Sequence, residues 1–250
     1  MLKLLIIFSV IGANTYANTF VETEYQFKLN KDLVSSVEDV HIGLALLFKN
    51  KIVYTRKLIE PKVIQVRRFF LDNVRLSLKQ RYYLDSQKYD ISLKANSAAL
   101  GEILANLPHI ETKYDIEQDI YGRFTKFSLK FKRKGGGYRE IITVKDVQKL
   151  FPGNYLLRNL EPSQKLRHKE IYLYRDVSGY IEDKGVSIRL VIDLYVGAQI
   201  KGTIERGELS FRVKSSHKDK TDVAIKLYSI LKNFNLITRN YKTTDPEDYY

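Results

Sequence analysis

The sequence predicts an α+β protein, mainly antiparallel β, closed into a tunnel-like barrel or a strongly curved sheet with helices packed outside. Three observations predict this. Long alternating segments follow one another across short turns. No strand–helix–strand alternation runs through the chain, which argues against a doubly wound sheet. At least five segments sort into one apolar face and one face of mixed charge.

The amino terminus reads as a secretory signal. Lys3 precedes an apolar run from Leu4 to Ile11, broken only by Ser9. Thr15-Tyr16-Ala17 then sets small residues at the two positions a signal peptidase reads, so residues 1–17 are expected to be removed. The run falls short of the roughly 20 residues that span a bilayer. An exported location follows, periplasmic or secreted. Residues 18–237 are expected to form a single β-rich domain and 238–250 a polar tail. No later segment approaches transmembrane length, so the mature chain is expected to be soluble.

Residues 19–29 alternate cleanly, and Asn30 is placed to cap a helix running to Phe48. Segments 51–59 and 62–71 read as strands around Pro61. Segments 76–83 and 88–95 read as a hairpin. A short helix over 98–106 is capped near Ser97. Segments 123–134 and 138–144 flank Gly135-Gly136-Gly137 and read as a second hairpin. A helical turn over 146–151 ends at Pro152-Gly153. Strands follow at 169–176, 186–196, 199–205 and 208–215, then a helix over 222–234.

Charge is the chief functional signal. Lys and Arg number 42 against 29 Asp and Glu, a formal +13. That excess favours phosphate-bearing partners over neutral ones. Cysteine is absent, which excludes disulfides and thiolate metal sites. The histidines His41, His109, His168 and His217 have no metal-site spacing. A Gly-x-Ser-x-Gly nucleophile elbow and a phosphate loop are also missing.

The faces locate that charge. Glu22, Glu24, Gln26 and Lys28 share one face of their segment; Lys88, Asp90, Ser92 and Lys94 share another. Lys126, Ser128, Lys130, Lys132 and Lys134 stack at period two. Arg189 and Asp193 share a face, as do Glu208, Ser210, Arg212 and Lys214. On an open antiparallel sheet these would be wet faces. In a barrel they would line the interior, where charge needs pairing or a ligand. The lysine stack, with no partner in its own strand, favours the barrel.

These elements resemble the triphosphate tunnel superfamily, the CYTH-like and polyphosphate-polymerase-like enzymes. The resemblance is partial. Glu22-Thr23-Glu24-Tyr25-Gln26 is similar to the opening Glu-x-Glu-x-Lys strand, with Gln26 in place of the lysine. Phe69-Phe70-Leu71-Asp72, Arg81-Tyr82-Tyr83, Ile91-Ser92-Leu93-Lys94, the Arg189 and Asp193 strand, and residues 208–214 resemble later strands in order. The resemblance implies a metal-dependent triphosphate or polyphosphate hydrolase, or a tunnel that binds such polyanions. It assigns Mg²⁺ or Mn²⁺ to Glu22, Glu24, Asp193 and Glu208, with Glu22 and Glu24 catalytic. It assigns phosphate contacts to Lys28, Arg81, Lys94, Lys130, Lys132, Arg189, Arg212 and Lys214. The alternative is a non-enzymatic periplasmic binder of an acidic glycan, lipid headgroup or nucleic acid. The mixes Arg67-Arg68-Phe69-Phe70 and Arg81-Tyr82-Tyr83 would suit the last of these, although nucleic acid is not favoured.

The leader reading sets a first expectation. Intact-mass and amino-terminal sequencing of the exported protein should find Asn18 first; a chain that still starts at Met1 would refute cleavage.

Overall fold

In the computed structural model, the described residues are 21–30, 32–49, 52–56, 62–71, 76–105, 114–121, 124–134, 139–197, 204–214 and 218–231. The leader, the triglycine, most of segment 199–205 and the polar tail lie outside them. Ten strands are described. They are β1 (Val21–Leu29), β2 (Val53–Arg56), β3 (Lys62–Phe70), β4 (Leu76–Tyr83) and β5 (Lys88–Ser97), followed by β6 (Asp115–Tyr121), β7 (Phe124–Lys134), β8 (Arg167–Asp183), β9 (Val186–Tyr195) and β10 (Arg206–Lys214). Four α-helices accompany them: α1 (Val37–Phe48), α2 (Leu100–Leu104), α3 (Val144–Leu150) and α4 (Lys218–Leu231).

Nine strands close into a ring in the order β8-β3-β4-β5-β7-β6-β1-β10-β9, because β9 pairs back onto β8. Strand β2 adds to β8 beside the ring. Every strand pairing is antiparallel except β1 with β6, so the barrel is mixed. The long β8 serves β3 with its first half and β2 with its second; an irregularity between Asp176 and Gly179 separates the two registers it makes with β9. The β8–β9 turn is Lys184-Gly185, both at positive φ (50° and 78°). That conformation matches strand twist and favours glycine at the second position.

The apolar faces point outward. Tyr25, Phe27, Leu190, Ile192, Leu209 and Phe211 pack under Val40 and Leu44 of α1 and Ala224 and Leu227 of α4. On the other side, Leu78, Leu93, Ile116 and Leu129 pack under Ile103 of α2 and Val144 and Val147 of α3. A barrel this rich in inward charge must bury its hydrophobic faces outside, and the helices supply that cover. No helix among the described residues is long and apolar enough to cross a membrane.

Several boundaries differ from the sequence reading. Helix α1 starts at Val37 because Ser36 and Asp39 form a capping box: Asp39 N donates to Ser36 Oγ at 3.1 Å and Ser36 N to Asp39 Oδ2 at 2.9 Å. The Asn30 side chain instead accepts from Asp32 N. The expected hairpin across the triglycine is a correction: β7 pairs with β5 and β6, and Thr143 makes only an isolated bridge to Lys165. Strand β6 was not expected at all.

One polar contact pins a helix to the barrel. The His41 Nε2–H of α1 donates to Asp176 Oδ2 of β8 at 2.8 Å, and the Tyr54 hydroxyl of β2 bonds the other ring nitrogen. Tyr54 lies against Gly179, where an added Cβ would come within 3.2 Å of its ring. Both His41 and Asp176 are buried, so their polar atoms need these partners.

The outer packing predicts a contrast. Phe211→Ala should cost about 3–5 kcal/mol in urea unfolding. Leu46→Ala, on the exposed side of α1, should change stability by only about 0.5 kcal/mol. Equal effects would contradict the outward core.

Candidate functional site

The inward faces surround a cavity of about 150 Å³. Nine bases line it: Arg68, Lys79, Arg81, Lys94, Lys126, Lys130, Arg175, Arg206 and Arg212. Four acids accompany them: Glu24, Asp119, Asp193 and Glu208. The lining is therefore strongly positive. Strand alternation also turns Ile64, Val66, Ile171, Leu173 and Tyr195 inward, and these form a small apolar cluster beside the charged space.

Cations and acids are distributed unevenly around the wall. On the β5-β7-β6-β1-β10 arc, carboxylates are shared. Glu117 of β6 is 1 % exposed. It accepts from Lys130 Nζ at 2.6 Å, and Lys94 Nζ lies 2.5 Å from its other oxygen. Burial would raise the Glu117 carboxyl, but Lys94, Lys130 and Arg212 together hold it well below the usual carboxylate range. Arg212 Nη2 donates to Glu24 at 2.7 Å, and its Nη1 approaches Glu22 at 3.5 Å.

Lys94 and Lys130 sit directly opposite each other in β5 and β7. One carboxylate cannot compensate both equally. Burial would lower Lys94, yet Glu117 and Asp119 raise it. Burial and the charge of Lys94 instead lower Lys130 to about 7. Lys126 falls to about 8, through burial and then Lys94. Asp119 is raised, chiefly by burial, with Glu24 and Glu117 adding to it.

On the β8-β9-β10 arc, cations are individually paired. Arg175 grips Asp193 with two bonds of 2.7 and 2.6 Å. Arg206 bonds Glu208 at 2.8 Å and lies over the Tyr195 ring at 4.4 Å, while the Tyr195 hydroxyl donates to Glu208 at 3.1 Å.

On the β3-β4 arc, the inward cations Arg68, Lys79 and Arg81 make no salt bridge among the described residues, whereas Arg67 on the outer face of β3 pairs with Glu170 at 2.6 Å. Arg68 faces Lys79 across the strand pairing, and Arg81 follows two residues on. The Nε atoms of Arg68 and Arg81 are buried without a hydrogen bond. Lys79 is half-buried in the wall and lines the cavity. Burial, then Arg68, Arg81 and Lys94, push its ammonium well below the usual lysine range.

Of the phosphate contacts expected from sequence, Arg81, Lys94, Lys130 and Arg212 line the cavity. The other four lie outside its lining. Lys132 pairs with Asp115 at 2.7 Å away from the lining. Arg189 and Lys214 are exposed, and Lys28 lies beyond the cavity opposite Glu208. Of the expected metal ligands, Glu24, Asp193 and Glu208 reach the lining and Glu22 does not. They do not fit a metal shell: Arg212 holds Glu24, Arg175 holds Asp193, and Arg206 with Tyr195 holds Glu208. Among the described residues, no three His, Asp or Glu side chains gather to hold an ion. Sequence reasoning missed Lys79, Arg175, Arg206, Glu117 and Asp119. Alternation with Arg81 was the signal for Lys79, and with Asp115 and Tyr121 for the β6 acids.

Comparisons with known proteins add little. No protein-family profile and no curated protein matches the sequence. Among solved structures, a conserved hypothetical protein from Pyrococcus furiosus is similar over 88% of this chain and 97% of its own, at 11% identity and a TM-score of 0.43.

The lowered lysines make stability depend on pH. Lys130 and Lys126 titrate near 7 and 8 when folded but near 10.4 when unfolded. Between those values the unfolded chain binds more protons, so stability rises with pH. The ligand-free Tm should climb from pH 7 to pH 9.5, less steeply in Lys130→Met. Identical slopes in both proteins would refute the lowered Lys130.

Proposed function

We propose that the barrel binds a phosphate-rich polyanion, of the size of a short linear phosphate chain, in its charged interior. The observation that carries this is the uncompensated group Arg68, Lys79 and Arg81. Like charges set directly across two strands repel, and desolvated cations without a counter-charge are costly. Phosphate oxygens supply that counter-charge, and arginine presents its donors in the fork that phosphate geometry accepts. The cavity of about 150 Å³ inside a closed sheet suits a slim, unbranched anion. Stacked Tyr82 and Tyr89, whose centroids are 4.4 Å apart, belong to the outer face, so they offer no base-stacking platform to this cavity.

Metal-dependent hydrolysis of the same ligand is the second reading. It is favoured by the register that sets Glu22 beside Glu117 and Glu24 beside Asp119 across β1 and β6. It requires Arg212, Lys94 and Lys130 to release those carboxylates. With the leader read as a signal, either activity belongs outside the cytoplasm.

Titration calorimetry with tripolyphosphate tests the binding. Wild type should bind saturably. Arg81→Met should weaken binding about ten- to hundredfold, from about 1.5–3 kcal/mol per charge-assisted hydrogen bond. Absence of saturable binding by wild type refutes the proposal. Phosphate release with Mg²⁺ or Mn²⁺ that is lost in Glu22→Gln/Glu24→Gln would establish the hydrolase instead.

A further inference from the structure

We propose that the cavity takes up protons as its anion binds, with Lys79 the principal acceptor, so that affinity for the anion rises as pH falls. The inference rests on the reading of the cavity as a polyanion site and adds its control by pH.

The geometry around Lys79 carries it. Arg68 of β3 lies directly opposite, Arg81 of β4 shares its face, and Lys94 of β5 adds a third positive charge. Its register partner on β5 is Ser92, which is uncharged. The Glu208 carboxylate of β10 favours the Lys79 charge. That carboxylate is already bound to Arg206 and to the Tyr195 hydroxyl. Arg68, Lys79 and Arg81, three cations with no salt bridge of their own among the described residues, are relieved most cheaply when one gives up its proton. A guanidinium does not do so, and a lysine does.

Two further lysines respond in the same direction. Lys126 faces Lys94, Asp119 and Arg68. Lys130 faces Lys94, Glu117, Arg212 and Lys132. All three lysines are lowered in the ligand-free protein, two of them to about 7 and 8. An anion placed among them favours their charged forms. The sign follows: the bound state holds more protons than the free state. Affinity therefore falls as pH rises, about tenfold per pH unit for each proton taken up.

Calorimetry in two buffers of different ionisation enthalpy counts the protons. Tripolyphosphate exchanges protons itself, so wild type is compared with Lys79→Arg, which keeps its charge at every pH used. The expected result at pH 7.5 is net uptake by wild type and about one proton fewer in Lys79→Arg. Ethanedisulfonate, an anion that does not titrate in this range, gives a second measurement on wild type alone, independent of how the variant folds. Uptake with it should be nonzero, and its Kd should weaken between pH 7.5 and 9. Binding without proton exchange, or equal uptake in both proteins, overturns the inference and leaves the polyanion site standing. Failure of wild type to bind either anion overturns both.

Discussion

The Glu117 carboxylate is the counter-charge on which one whole wall of the barrel depends. It lies between Lys94 and Lys130, within reach of Arg212, and so meets the inward charge of three other strands, β5, β7 and β10. Strand β6 brings it there by pairing with β7 on one side and β1 on the other. Without that strand, the facing lysines of β5 and β7 would meet with nothing between them. The acid-rich β6 is a poor strand former by composition. It holds its place because its inward charges are needed and its Ile116 closes the outer core.

Charge on the inside dictates packing on the outside. A strand has two faces, and a closed sheet that commits one to charge must cover the other. Helices α1 and α4 cover β1, β9 and β10, while α2 and α3 cover β4, β5 and β7. The wall then differs around its circumference. Paired ions stiffen the β8-β9-β10 arc, shared ions span the β6 arc, and the β3-β4 arc is left with unspent positive charge.

Much of this was legible locally. Period-two alternation placed Glu24, Lys94, Lys130 and Arg212 on the correct face, because which face a residue takes depends only on its strand. Depth along the barrel did not follow from the same pattern. Arg189 shares its alternation with Asp193, yet strand tilt and stagger carry it out to solvent. Those quantities depend on all nine strands at once. Strand β6 was not expected, because Asp115, Glu117 and Asp119 are poor strand formers and one of its partners, β1, lies far away in the chain. The expected pairing of 138–144 with β7 failed for a related reason. Proximity in sequence favoured it, but β5 offered the longer complementary edge. At α1 the apolar stripe gave the helix, and the capping box, a finer signal, set its start.

The closure of the barrel also orders events in time. Strand β1 is the first of the described strands to be made and its antiparallel partner β10 the last; Glu22 and Arg212 are 190 residues apart. Until β10 arrives, β1 has an open edge and Tyr25 and Phe27 lack their Phe211 cover. Contacts of such long range close slowly, because loop entropy is spent before they form. A chain interrupted before residue 206 would keep every base of the β3-β4 arc and have no enclosed space around them. The positive interior is therefore a property of the finished molecule alone, and the unfinished one presents the same charges on an unsealed, aggregation-prone sheet.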